Sequence, residues 1–203
     1  MTQDVSSFDF QVDPILNFEN LMKEAENLEV AEPNAMSLAT VNHEGRPQVR
    51  IVLFKGMIRG GFSFFTNYLS PKGQALLVHP AASLNFFWAP LARQVRIEGQ
   101  VHPLTRAEAE EYFRTRARLS QIGAWASLQS QNLSGFDVFH QRVKEMETKF
   151  AGREVPCPPN WGGFHLIPQS MEFWFGRDGR LHERYIFERE NPYSPWQRSL
   201  KFP

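Results

Sequence analysis

Apolar and polar positions change period several times along this chain of 203 residues, and the changes mark its elements. From Asp13 onward, Pro14-Ile15-Leu16-Asn17-Phe18-Glu19-Asn20-Leu21-Met22 sets apolar groups near helical spacing, with Asp13 placed to cap and Pro14 at the first helical position. Residues 1–13 carry little pattern and read as a flexible N-terminal arm. Ala35 to Val41, a turn through Asn42-His43-Glu44-Gly45-Arg46-Pro47, and Gln48 to Phe54 read as a hairpin of two strands. Further strands are predicted over 61–66, 82–88 and 93–102. The last alternates cleanly. Gln94, Arg96, Glu98 and Gln100 share one face and Val95, Ile97, Gly99 and Val101 the other, so one face is wet or liganded and the other is core.

Thr105-Arg106-Ala107-Glu108 has the form of a capping box and predicts a helix running to Arg118. A second helix, from Phe136 to Phe150, carries Phe139, Val143, Met146 and Phe150 on one stripe, which reads as core. Strands at 163–167, 170–176 and 181–189 close the chain. Short antiparallel strands interrupted by helices predict a mainly β protein with flanking helices, a β-barrel in one domain over residues 14–203.

Charge narrows the partners. With 22 basic residues against 22 acidic ones the formal net charge is zero, which argues against a general binder of nucleic acid or of a membrane surface, so any anion site must be local. The single cysteine, Cys157, leaves no intramolecular disulfide and no cysteine-rich metal site, and fits a reducing compartment. The N-terminal stretch MTQDVSSFDFQVDP lacks the basic start and apolar run of a signal peptide, and no stretch approaches the roughly 18 apolar residues of a membrane span. A cytoplasmic protein is expected. The histidines at 43, 79, 102, 140, 165 and 182 show no metal-ligand spacing, and no metal site is expected. Phosphate-loop, dinucleotide, nucleophile-elbow and zinc-protease signatures are absent. The 18 phenylalanines and 5 tryptophans would serve a core, an interface or a planar ligand.

Three groups of polar residues carry possible chemistry. Ser70-Pro71-Lys72-Gly73 looks like the opening of a helix, where backbone N–H groups, a serine and a lysine could hold a phosphate. Tyr112 and Arg116 stand four apart on the capped helix, with Ser120 continuing the line; they form either an exposed face or a clamp for a phosphate monoester. Arg180, His182 and Arg184 alternate after a turn, so on an extended strand all three would point one way, toward solvent or toward an anion.

In order along the chain, Glu32 to Val41, Gly45-Arg46-Pro47, Arg50-Ile51-Val52-Leu53-Phe54-Lys55, Phe65-Thr66-Asn67-Tyr68, Arg93-Gln94-Val95, Ser120-Gln121-Ile122-Gly123-Ala124-Trp125-Ala126-Ser127, Gln129-Ser130, Trp161-Gly162-Gly163-Phe164, Glu172-Phe173-Trp174 and Arg180-Leu181-His182-Glu183-Arg184 resemble the pyridoxine 5′-phosphate oxidase family. The resemblance runs from Asp13 to Trp196 and implies a split β-barrel homodimer with FMN at each of two subunit interfaces. It implies oxidation of pyridoxine or pyridoxamine 5′-phosphate by O2 to pyridoxal 5′-phosphate, with release of H2O2. Carried over by position, Arg50, Ile51, Val52, Leu53, Phe54, Lys55, Phe65, Thr66, Lys72, Gln94, Gln129, Ser130, Trp174 and Arg184 would contact FMN. Lys55, Tyr112, Arg116, Ser120, Arg180, Leu181 and His182 would contact substrate, with Arg180 and His182 at the reacting ring.

Arg50 and Lys55 lie five apart and should face opposite sides, so a bulge or strand end is expected between them. Four differences from the family pattern stand out: Pro71 in place of an arginine, Phe65 in place of a tyrosine, a different ending after Trp196, and no Arg-Arg-x-Tyr-like segment in the arm. The alternative readings are a related FMN oxidase acting on another reduced heterocycle, such as a phenazine precursor, and a flavin- or pyridoxal-phosphate-binding module without turnover.

Overall fold

The computed structural model describes residues 8–203. Helix α1 spans Pro14–Asn27; Asp13 accepts from the backbone N–H of Ile15 at 2.7 Å, and Pro14 occupies the first turn, where its missing N–H costs nothing. Residues 1–7 of the expected arm lie outside the described residues. From Phe8 the chain is held: Phe8 packs its ring on Phe173, Phe175 and Tyr185, Phe10 packs on Tyr185 and Phe187, and Arg198 donates to the Gln11 carbonyl.

The strands are β1 (Ala35–Val41), β2 (Pro47–Leu53), β3 (Met57–Ile58), β4 (Gly61–Asn67), β5 (Ala81–Trp88), β6 (Arg93–Pro103), β7 (Trp161–Phe175), β8 (Glu183–Glu188) and β9 (Gln197–Lys201). Helices α2 (Pro71–Val78), α3 (Arg106–Thr115), α4 (Arg118–Ala126) and α5 (Phe136–Lys149) sit between them. All strand pairings are antiparallel, in the order β2-β1-β5-β6-β7-β4-β3, and β8 pairs with β7 and β9. Strand β7 therefore has β6 along one edge, while its other edge is divided between β4 at the N-terminal end and β8 at the C-terminal end.

Three expectations are corrected, and two strands, β3 and β9, were not anticipated. The two strands predicted over 163–176 are one strand, because the register with β6 shifts at Glu98/Gly99: Gly99 faces Pro168 while Glu98 faces Ser170, and the bulge lets β7 run through a proline. The capped helix does not reach Arg118; it ends at Thr115 and Arg116 turns extended, with φ −71° and ψ 146°. That break allows both Phe113 and Ile122 to enter one small core, where a straight helix would place them nine residues apart on divergent faces. The last long strand begins at Glu183 instead of Leu181, after a 3-10 turn over Asp178–Arg180. Strands β3 and β9 are too short or too polar to show a period of two.

The core follows the alternation. Val95, Ile97 and Val101 of β6 are buried with Phe18, Phe62, Phe64, Phe86, Trp88, Phe164, Phe173 and Phe175, so most of the aromatic excess goes into packing. A second cluster, Phe113, Ile122, Phe150, Val155 and Trp161, lies under the helices; of the stripe read as core, Val143 and Met146 of α5 and its C-cap Phe150 join this cluster, while Phe139 joins neither. No helix of the described residues is long and apolar enough to cross a membrane.

A Cβ at Gly99 would overlap the carbonyl oxygen of Ile167 at the bulge. Gly99→Ala should cost about 2 kcal/mol, since neither strand backbone can yield without losing ladder bonds; a urea melt of the purified protein measures it.

Candidate functional site

Strand β2 ends at Leu53, and its continuation hands over to β4: Phe54 N–H donates to the Asn34 carbonyl and Lys55 N–H to the Ser63 carbonyl at 2.9 Å. This strand end is what separates Arg50 from Lys55. Arg50 reaches over β1 to Thr40 Oγ1 at 2.7 Å and to the Leu38 carbonyl. Lys55 enters a cavity of about 490 Å³ together with Ile51, Val52 and Leu53, whereas Phe54 turns into the core against Phe18, Phe62 and Phe86.

One wall of the cavity is an anion cradle. Ser70 caps α2 by accepting from Gly73 N–H, Pro71 takes the first helical position, and Lys72 Nζ donates to Thr66 Oγ1 at 3.0 Å and Ser70 Oγ at 3.2 Å. Among the described residues neither Lys72 nor Arg50 is in an ion pair. Burial holds both below their ordinary pKa values, and the Arg50 charge lowers Lys72 further. Gln129 Oε1 closes the wall, accepting from Thr66 Oγ1 and Asn67 N–H at 3.3 Å each. Its neighbour Ser130 sits in a left-handed turn, φ 66°, outside the lining.

The opposite wall holds Tyr112, Arg116 and Ser120, which converge although Arg116 has left the helix. Tyr112 stacks on Phe65 at 3.9 Å and 12°. The Arg116 guanidinium lies 4.9 Å over the Trp161 ring, and its Nη1 is buried without a hydrogen-bond partner. Burial alone depresses its basicity, so an anion in the cavity would restore what the protein withholds. Asn67, Gly123, Ala124, Ser127 and Trp161 also line the cavity and were not anticipated. Ser120, Gly123 and Ala124 form one small-residue face of α4, which its C-cap Ser127 continues, a signal visible only once the helix starting at Arg118 is known.

The remaining expected residues gather elsewhere. Gln94, Trp174 and Arg184 are cross-strand neighbours on β6, β7 and β8 and share the face opposite the core. Arg184 makes two 2.9 Å bonds to Glu172, which raise its pKa, and a third to the Phe202 carbonyl. His182 lies 4.5 Å from the Trp174 ring, its Nδ1 accepting from Arg177 N–H at 3.1 Å. The expectation that Arg180, His182 and Arg184 share a strand face fails for the first two. Gly179 and Arg180 both take left-handed conformations, φ 63° and 62°, and Arg177 grips Glu183 at 2.9 and 3.0 Å, so the turn outlasts its glycine. Arg180 and Leu181 are left exposed at its tip.

None of this second group lines the cavity. Trp161 and Trp174 are thirteen residues apart on one strand, about 40 Å of extended chain, far more than a single small ligand spans. Each chain thus carries two separate clusters, a cavity lined by Lys55, Lys72 and Arg116 and an aromatic, cationic row.

Fold and cavity define a split-barrel protein equipped to take phosphorylated ligands. The chain belongs to the pyridoxamine 5′-phosphate oxidase family: residues 21–150 match the family described as Pyridoxamine 5′-phosphate oxidase, and residues 161–203 match the Pyridoxine 5′-phosphate oxidase C-terminal dimerisation region. It is 48% identical over 196 residues to a pyridoxine/pyridoxamine 5′-phosphate oxidase of Bdellovibrio bacteriovorus, covering 97% of this chain and 100% of that one. It is 47% identical over 191 residues to one from Myxococcus xanthus, covering 94% and 92%. Among solved structures, PhzG from Burkholderia lata 383, in complex with tetrahydrophenazine-1-carboxylic acid, superposes with a TM-score of 0.91 at 29% identity, covering 100% of this chain and 98% of that one. A pyridoxamine 5′-phosphate oxidase-related, FMN-binding protein from Nostoc punctiforme shares the fold at a TM-score of 0.75 and 16% identity, covering 95% and 99%.

Because the folded state depresses the Lys72 pKa, the unfolded chain binds the extra proton between the two values, and stability of the ligand-free protein rises with pH across that window, below the ordinary lysine value. Lys72→Met should flatten this slope and weaken orthophosphate binding to the ligand-free protein by at least about tenfold; denaturant melts against pH and calorimetric titration measure the two effects.

Proposed function

We propose that the protein is a homodimeric FMN-dependent oxidase that converts pyridoxine or pyridoxamine 5′-phosphate to pyridoxal 5′-phosphate. The observation that carries the reading is the buried, unpartnered Nη1 of Arg116 in a cavity that also holds Lys55, Tyr112 and Ser120. These donors suit a phosphate monoester, and the relatives at 47 and 48% identity bear the name of that activity. A non-phosphorylated heterocycle would answer these donors less fully: the tetrahydrophenazine-1-carboxylic acid bound by PhzG carries a planar carboxylate, which offers the clamp fewer acceptor oxygens and less charge than a phosphate monoester.

The residues present fit FMN. Lys72, Arg50, Thr66 and the start of α2 would hold its phosphate, the charge coming from two cations that no carboxylate among the described residues neutralises. Pro71 removes the arginine usual in the family, and at the first helical position it also has no N–H to offer. Ile51, Val52, Leu53, Phe65 and Gln129 would flank the flavin from this chain. Gln94, Trp174 and Arg184 lie too far along β7 and would serve the flavin of the other subunit. The match to a dimerisation region over residues 161–203, which contain Trp174, His182 and Arg184, supports that assignment.

Bound FMN supplies two-electron chemistry: a hydride equivalent leaves the substrate's C4′ carbon, and O2 is reduced to H2O2. The chain's own residues bind and orient. Tyr112, Arg116 and Ser120 hold the phosphate and Lys55 adds charge beside it. Arg180, poised in a strained turn, positions the ring. Arg177 N–H donates to Nδ1 of His182, so Nε2 is the ring nitrogen left to donate to the ring oxygen.

Under anaerobic conditions, pyridoxine 5′-phosphate should bleach the flavin absorption of the FMN-loaded protein, and air should restore it with pyridoxal 5′-phosphate formed. Flavin that stays oxidised in excess substrate would refute the oxidase reading and leave a binding module or another heterocycle. The shared site has its own test. Arg116→Ala and His182→Ala should each lose at least about a hundredfold in kcat/KM, and an equal mixture refolded together should regain about a quarter of wild-type activity, because half the dimers are mixed and each has one intact site.

A further inference from the structure

Trp161 opens β7, is 7% exposed, and faces the cavity. Its ring is parallel to those of Phe65 (5.4 Å, 7°) and Tyr112 (6.3 Å, 5°), and the Arg116 guanidinium sits 4.9 Å above it. The indole is itself firmly mounted. Arg106 donates to the carbonyls of Cys157, Pro158 and Trp161, and the Tyr68 hydroxyl bridges Gly163, donating to its carbonyl at 3.0 Å and accepting from its N–H at 3.2 Å.

The way Arg116 is held differs from the way Arg184 is held. Glu172 takes two donors of Arg184 edge-on, so those donors are no longer available in this chain. An aromatic face attracts a guanidinium without using any N–H, and therefore leaves every donor in the plane free for a ligand. The unpartnered Nη1 of Arg116 is the visible consequence. The same indole lies parallel to the Tyr112 ring, the other member of the clamp.

We propose that Trp161 is a positioning residue for substrate phosphate: its ring holds Arg116 in place with its donors unspent, and so sets the preference for phosphorylated over non-phosphorylated pyridoxine. The proposal rests on the cavity being a phosphate site, and goes beyond the oxidase reading in naming what builds that preference.

The test uses the FMN-loaded dimer, in which the cradle at Lys72 is filled. Trp161→Leu should raise KM for pyridoxine 5′-phosphate about tenfold with kcat within about twofold, and weaken orthophosphate binding, followed by calorimetry, by a similar factor. kcat/KM for non-phosphorylated pyridoxine should not change. Trp161→Phe, the milder change, should recover most of the loss, and its residual effect on orthophosphate binding should vanish in an Arg116→Ala background. Equal losses on both substrates, unchanged orthophosphate binding, or an effect of Trp161→Phe that persists without Arg116 would overturn the proposal. Should Trp161→Leu not fold, the Trp161→Phe cycle decides alone. If the wild-type flavin is not reduced but orthophosphate binding still depends on Trp161, the oxidase reading falls and the positioning role stands.

Discussion

The hydrogen-bonded ladder of β7 is the constraint on which the rest of the structure depends. It is fifteen residues long; Phe164 to Phe175 run along β6 on one edge, and the other edge is split between β4 and β8. The bulge opposite Gly99 makes this possible, because it carries the strand past Pro168, which has no N–H to give. Once β4 and β8 are fixed to opposite ends of one strand, so are the residues they bear. The cavity forms at the β4 end and the aromatic row at the β8 end, and no local adjustment within the chain can unite them. The distance between the two clusters is thus a consequence of strand length.

Charge is distributed with the same economy. The chain is neutral overall, and several surface cations are satisfied by neighbouring carboxylates, as Arg96 is by Glu98 and Glu172 and Arg106 by Glu110. Around the cavity that rule is suspended. Among the described residues Arg50, Lys72 and Arg116 have no carboxylate partners, and burial depresses all three. Unneutralised buried cations destabilise a folded protein, so their concentration at one place is better explained by a ligand's negative charge than by packing. Catalysis then asks little more of the protein than orientation, which stacked rings and capped helices supply at small entropic cost.

How much was legible depended on the range of the signal. Asp13 with Pro14, Thr105 with Glu108, and Ser70 ahead of Lys72 all capped helices where local chemistry placed them. The alternation of β6 named its buried face correctly, since a period of two survives in any half-buried strand. The break at Arg116 was not legible: Arg-Ala-Arg favours a helix, and the chain turns there because Phe113 and Ile122 share a core made by other segments. Nor was Trp161, whose value lies in a stack with Phe65 and Tyr112 from two distant elements. The Arg180 to Arg184 alternation misled, because a periodic pattern cannot show that a preceding turn extends to Leu181.

The sequence by itself determined the element types, the core alternation, the family and the residue kinds needed for phosphate and flavin, because caps, periods and motifs act over a few residues. Only the tertiary structure decided that those residues form two separate clusters, that Arg116 is held by an indole with donors free while Arg184 is held by a carboxylate, and that His182 lies outside the strand. Those outcomes depend on strand pairing and packing between segments up to about a hundred residues apart, and contacts at that range leave no period in the chain.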